Sequence, residues 1–266
     1  LLVKDIFSET IQLVKEHKLE ILKNTILPIA LLMGCFILFL SKFQGIMALP
    51  KDLIGKAFLQ ILGDNLLYIL LLVFLYIRLL INSYRMAILG TSSVSKFGLY
   101  LPGMRELKFM GYALGLTVIY ILLILVFSLL SSVSMGFVSS SLAKLFPFIV
   151  MIAGLIIGLV LSVRLYLVFP GIAADKPTSF SDAWRMSKGY VLKIMVITFL
   201  FPFVTSFVVS LVIKLIPPLN DFLTYHLAGQ LMTGGVKLLF FVFMAILIGM
   251  TFKTLKTKNE MQEIDG

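Results

Sequence analysis

Six long apolar runs, separated by short polar stretches, dominate the chain. They cover approximately Thr25–Leu40, Asn65–Ala87, Phe109–Leu130, Leu145–Phe169, Ile194–Ile213 and Leu231–Phe252. Leu, Ile, Val and Phe fill them continuously, without the alternation of a membrane strand, and only helices or closed barrels satisfy backbone polar groups in lipid. A hydrocarbon core about 30 Å thick takes roughly 20 apolar residues as helix, so each run predicts a spanning helix. The first is short, but Ile21, Leu22 and Phe43 can extend it. The predicted class is all-α: a polytopic membrane helical bundle, one integral membrane domain over residues 1–266.

The polar stretches carry patterns of their own. Val3, Ile6, Phe7, Thr10, Leu13, Val14, His17 and Ile21 recur at helical spacing, while Lys4, Asp5, Ser8, Glu9, Gln12, Lys15 and Glu16 take the opposite face. That predicts an amphipathic helix over residues 1–23 lying along the membrane surface. The alternating acids and bases there do not resemble a cleavable signal peptide. Ser179 through Asp182 reads as a capping box, followed by a stripe of Phe180, Ala183, Trp184 and Ser187. Trp184, the single Trp, suits the interfacial aromatic belt. The segment from Lys42 to Asp64 is a second candidate for the interface, on the outer side. Residues 253–266 form a cytoplasmic tail.

Charge sets the orientation. With the N-terminus inside, 17 of the 23 Lys and Arg residues fall on the cytoplasmic side and 6, namely Lys42, Lys51, Lys56, Lys144, Lys214 and Lys237, fall outside. The positive-inside rule therefore places both termini in the cytoplasm. The net charge of +10 reflects this topology rather than a nucleic-acid surface, because the cations flank apolar runs.

The cytoplasmic segments also repeat. Leu22-Lys23, Leu107-Lys108 and Leu192-Lys193 are 85 residues apart, each where the chain enters an outgoing helix. Arg78-Leu79 and Arg164-Leu165 are 86 apart, near the ends of returning helices. The six spans then read as three parallel hairpin repeats, each introduced by a cytoplasmic interfacial segment, unlike the inverted repeats of many transporters.

Composition agrees with lipid as the main solvent: 60% of residues are hydrophobic, 14% are charged, and mean hydropathy is +1.06, against roughly a quarter charged in soluble chains. Chemistry is sparse. The lone Cys35 excludes an intramolecular disulfide. His17 and His226 are almost the whole chain apart, which gives no clustered metal ligands. Phosphate-loop and dinucleotide fingerprints are absent, and the Ser and Thr residues, including Ser139 to Ser141, lack a histidine base on the same side. No span carries Asp or Glu at its centre, against proton- or sodium-coupled transport. Pro28, Pro147 and Pro202 are candidate kinks. No catalytic residue, cofactor or metal is expected.

The most distinctive string runs from Arg164-Leu165-Tyr166 through Pro170-Gly171 to Asp175, and on through Ser179, Ala183-Trp184 and Ser187-Lys188-Gly189. Here the chain resembles the YciC-like family of bacterial inner-membrane proteins and the related membrane domain found beside some glycerophosphodiester phosphodiesterases. These show an Arg-rich helix end, a Pro, an acidic residue and an Ala-Trp…Gly segment before the next span. The N-terminal amphipathic helix is similar too, so the resemblance covers most of the chain. It implies a six-span bacterial inner-membrane fold and no particular activity; the phosphodiesterase catalytic domain has no counterpart.

Three functions compete. The leading reading is a non-enzymatic membrane protein that organises envelope or lipid, or scaffolds a membrane-protein partner, at its cytoplasmic face. Arg78, Arg85, Arg164, Arg185 and Lys188 are its candidate lipid-phosphate ligands, since guanidinium groups bind phosphate bidentately and basic clusters attract anionic lipid; the same residues could simply enforce topology. The alternative is a permease or channel for a small or lipidic substrate, with Gly154 and Gly158 permitting close packing or bending of the fourth span. A third is an intramembrane lipid enzyme, for which Asp175 and Asp182 are the acidic candidates in the cytoplasmic loops.

Overall fold

A computed structural model of the chain describes residues 3–41, 51–100, 103–137, 146–176 and 178–265. Lys42, Phe43, Pro102, Ser139 to Ser141, Lys144 and Leu145 lie outside the described residues. The described elements are helices: α1 (Val3–Glu16), α2 (Lys18–Ser41), α3 (Lys51–Asp64), α4 (Leu66–Leu89), α5 (Met104–Phe137), α6 (Phe146–Leu165), α7 (Val168–Ala173), α8 (Phe180–Met186), α9 (Val191–Met195), α10 (Phe201–Lys214), α11 (Pro217–Tyr225) and α12 (Leu227–Asp265). Six segments are long and apolar enough to cross a membrane: Lys18–Leu38, Leu66–Leu89, Met104–Val133, Phe146–Ala173, Val191–Lys214 and Ala228–Met261. Among the described residues each apolar run is thus helical over most of its length, and several helices continue past it into polar sequence. The 253–265 tail, for instance, extends α12 without a break.

The chain divides into two compact units, Leu1–Leu101 with Val204–Met250, and Pro102–Phe203 with Thr251–Gly266. In the first unit, α1 buries Ile6 and Thr10, one turn apart on the predicted apolar face. Backbone hydrogen bonds continue through His17: its N–H donates to the Leu13 carbonyl (3.0 Å), and the Ile21 N–H donates to the His17 carbonyl (2.9 Å). α2 packs along α4. Gly249 of α12 lies against Ala87 and Tyr84 of α4, where a Cβ would come within 2.8 Å of the Ala87 Cβ, and Tyr76 stacks on Phe241 at 4.7 Å.

After α4 the chain turns back on α2. Gly90 ends the helix at φ +90, and two short 3₁₀ turns follow, Thr91–Ser93 and Lys96–Gly98. Three polar contacts hold them: the Thr91 hydroxyl donates to the Glu20 carboxylate, the Asn24 amide reaches the Thr91 carbonyl at 3.5 Å, and the buried Asn82 amide donates to the Gly98 carbonyl at 2.8 Å. Gly98 has φ +68, and a Cβ there would collide with the Asn24 carbonyl. Glycine is required on both counts.

In the second unit α5 and α6 run along one another. Gly154 admits the Phe127 ring and Gly158 the Leu123 side chain, so the two glycines serve close packing within the unit. The Tyr120 and Ser162 hydroxyls share a hydrogen bond between the same helices. The α6–α7 step has a local cause. Pro170 has no N–H to offer the Tyr166 carbonyl four residues back, and the Phe169 N–H takes it in a tighter turn at 3.2 Å. Pro202 acts similarly: the turn before it, Val196–Leu200, widens to π geometry, with the Phe201 N–H bonded to the Val196 carbonyl.

Gly98→Ala should cost more than the roughly 1–2 kcal/mol of a left-handed non-glycine residue, because the collision adds to it. The detergent-solubilised variant should melt measurably lower than the parent. An unchanged melting temperature would mean that the turn does not rest on Asn24.

Candidate functional site

The polar end of the second unit is built by the start of α5 and the chain that follows α7. Met104, Lys108 and Tyr112 recur every fourth residue and so share one face of α5, with Arg105 beside them. The Gly103 N–H donates to the buried Glu106 carboxylate at 2.8 Å, fixing the start of that helix.

Opposite stands the end of α7, closed by two hydrogen bonds: Lys176 N–H to the Gly171 carbonyl (3.0 Å) and Asp175 N–H to the Ile172 carbonyl (3.1 Å). This is the Schellman pattern, whose left-handed residue is usually glycine. Here Asp175 occupies it, at φ +57, at a cost of about 1 kcal/mol. Its carboxylate accepts both the Arg105 Nε (2.7 Å) and Nη2 (2.8 Å) donors, a bidentate pair that glycine could not form. Gly171 lets Thr178 fold directly onto α7, since a Cβ there would overlap the Thr178 side chain.

α8 then starts at the capping box foreseen in the sequence. The Asp182 N–H donates to the Ser179 hydroxyl oxygen (3.1 Å), while the Ser179 N–H (2.9 Å) and hydroxyl (2.7 Å) donate to the Asp182 carboxylate. Those hydrogen bonds, the backbone one first, hold the Asp182 carboxyl below the usual carboxylate range, with the Arg185 charge adding to them.

Between these elements lies a cavity of about 560 Å³, lined by Arg105, Lys108, Tyr112, Asp175, Lys176 and Asp182, with Met104, Ile172, Thr178 and Ser179 completing it. Its charges are unequally answered. Asp175 neutralises Arg105, and Asp182 is engaged by Ser179, with Arg185 3.6 Å away. Lys108 and Lys176 take part in no ion pair among the described residues. Two ammonium groups and a phenol on a largely apolar floor can hold a phosphate-bearing ligand; the engaged carboxylates are poorly placed to act as proton acceptors.

The arginines and lysine singled out from the sequence divide between the units. In the first, Arg78 is 1% exposed, its guanidinium over the rings of Tyr100 (4.0 Å) and Phe74 (4.7 Å), and the Arg85 Nε donates to the Ser93 carbonyl at 3.3 Å. In the second, Arg164 stacks on Trp184 at 4.1 Å, Arg185 is 73% exposed beside Asp182, and Lys188 is exposed. Asp175 and Asp182, noted as the acids of the loops, do meet in the cavity. In the sequence Lys176 is one of the cytoplasmic charges and Lys108 also marks the repeat; neither stands out there as a ligand. The four-residue spacing of Met104, Lys108 and Tyr112 was the available signal, but it does not say what faces it.

The chain matches no family model, no curated protein and no solved structure, so its chemistry is read from its own geometry.

Ser179→Ala removes the cap of α8, worth about 1 kcal/mol. Trp184, the chain's one Trp, sits on that helix, and its fluorescence should report fraying. Acid should act the same way. A carboxyl held low in the fold contributes fully above its unfolded value of about 3.9, and the contribution is lost as pH falls from there through the folded value. Trp184 emission should therefore stay flat from neutral pH down to roughly pH 5 and change below about pH 4. A transition near pH 6 would assign control to another group.

Proposed function

We propose that this protein is a non-enzymatic, six-span protein of the bacterial inner membrane that binds phosphate-bearing lipid at its cytoplasmic face and so helps organise the envelope. The observation that carries this reading is the cavity at the start of α5, where Lys108 and Lys176 have no acidic partner among the described residues and the lining is largely apolar. The distribution of Lys and Arg, 17 against 6, supports a cytoplasmic position for this end of the second unit and for both termini. Anionic phosphates of the inner leaflet lie at that level. The exposed Arg185 and Lys188 add to the same basic surface.

Relatedness of the hairpins belongs to this reading. Arg78 and Arg164, 86 residues apart, each stack on an aromatic ring of the following segment, Tyr100 and Trp184, themselves 84 apart. The positive-φ residues that follow α4 and α7, Gly90 and Asp175, are 85 apart. Similar arginine–ring contacts at similar spacing support repeated units, and this accords with the resemblance to the YciC-like proteins.

Near a charged membrane each lysine contributes about 1 kcal/mol, so Lys108→Gln with Lys176→Gln should weaken retention of phosphatidylglycerol by roughly 30-fold. Native mass spectrometry of protein released from mixed phosphatidylglycerol and phosphatidylcholine nanodiscs measures this directly. Unaltered retention would sink the proposal. Orientation is tested separately: a fluorescent protein fused after Gly266 should light up, and an alkaline phosphatase fused there should be inactive.

A further inference from the structure

Beside the charged cavity is a smaller notch of about 290 Å³, lined by Lys108, Gly111, Tyr112 and Phe180. Lys108 and Tyr112 belong to both, so the notch opens directly off the place where a phosphate would be held. Its walls are aromatic: Tyr112 and Phe180 meet edge to face at 4.9 Å, and the Phe180 ring lies close enough to α5 to touch a Cβ at Gly115, 3.7 Å away. Its back is bare backbone, because Gly111 has no side chain and nothing lies within 4 Å of where one would begin. Gly111 is seven residues into α5, about 10 Å along the axis, on a span that begins at Met104. Polar cavity and apolar notch thus adjoin along α5, sharing Lys108 and Tyr112, so that one molecule can present a phosphate to the first and a chain to the second.

From this juxtaposition we propose that the site takes an anionic glycerophospholipid with one acyl chain seated in the Gly111–Phe180 notch, rather than a soluble phosphate compound. The proposal rests on the lipid-binding reading and adds the identity of the ligand. The lining charges, Arg105, Lys108 and Lys176 against Asp175 and Asp182, leave one net positive charge for a phosphodiester to neutralise. A zwitterionic headgroup would leave it standing. An acyl chain gains little hydrophobic energy by moving from bilayer to protein, so the notch acts by shape: blocked, it forbids the pose that brings the attached phosphate to Lys108 and Lys176.

Gly111→Leu fills the notch and suits a helix better than glycine does; Gly111→Ala adds a Cβ in open space and leaves most of the notch. Both are compared with the parent and the double lysine variant in nanodiscs of phosphatidylglycerol and phosphatidylcholine, by native mass spectrometry. Stabilisation of each detergent-solubilised protein by glycerol phosphate is read in parallel from melting temperature. Expected is loss of phosphatidylglycerol from Gly111→Leu to the level of the double lysine variant, full retention by Gly111→Ala, and an unchanged glycerol phosphate response in both glycine variants. If Gly111→Leu keeps its phosphatidylglycerol while the lysine variant loses it, the notch is not a chain site and this inference falls, with lipid binding intact. Equal loss from Gly111→Ala would also overturn it, by tracing the effect to the helix. Undiminished retention by the lysine variant would remove the lipid-binding reading and this inference together.

Discussion

A helix built to lie in hydrocarbon has almost nowhere to put a charge. Water is absent along most of its length, so a cation there must be met by protein or reach the interface. Within segments long enough to span, α4 carries Arg78 and Arg85, and α6 carries Arg164. Arg78 is met by Phe74 on its own helix and by Tyr100 in the following loop; Arg164 is met by Trp184 on α8. Ring faces answer a guanidinium without adding further charge. In each case one ring, Tyr100 or Trp184, comes from the chain after the helix, and that chain must fold back to deliver it.

Much of the local geometry serves this folding back. In the first unit Gly90 ends α4, the 3₁₀ turns run along α2, and Gly98 passes so close to the Asn24 carbonyl that no side chain fits. In the second, Pro170 tightens the step into α7, Asp175 takes the left-handed position and Gly171 lets Thr178 lie on the helix. The return in the second unit leaves a cavity against α5. One cation of that cavity, Arg105, is neutralised by the residue that makes the turn, so the remaining positive charge is concentrated on Lys108 and Lys176. Asp175 occupies a left-handed position that glycine would take with less strain, and from there its carboxylate forms the bidentate pair with Arg105.

The cavity and its notch also separate two tasks that basic membrane proteins often combine. Exposed cations such as Arg185 and Lys188 attract any anionic surface. On the proposed lipid-binding reading, Lys108 and Lys176, which line one largely apolar cavity, serve to tell one anionic molecule from another. Discrimination needs walls as well as charge, and the walls come from Tyr112, Ile172 and Phe180.

How much of this was legible in advance follows from the range of each interaction. Spanning helices depend on the solvent each residue prefers, summed over about 20 neighbours, so composition and periodicity determined them. The capping box spans three residues and was equally visible at Ser179 and Asp182. The buried face of α1 was readable at Ile6 and Thr10 because helical spacing alone aligns them. Arg105 with Asp175 is 70 residues apart and Arg164 with Trp184 is 20, and no local pattern indicates which partners meet. Lys108 reads in the sequence as a topology charge, and only the return after α7 places Lys176 in the same cavity and Phe180 beside Gly111. The sequence by itself determined the helices, because their cause is local. Tertiary structure alone decided which charges are answered and which are left facing a cavity, because that depends on contacts between distant parts of the chain.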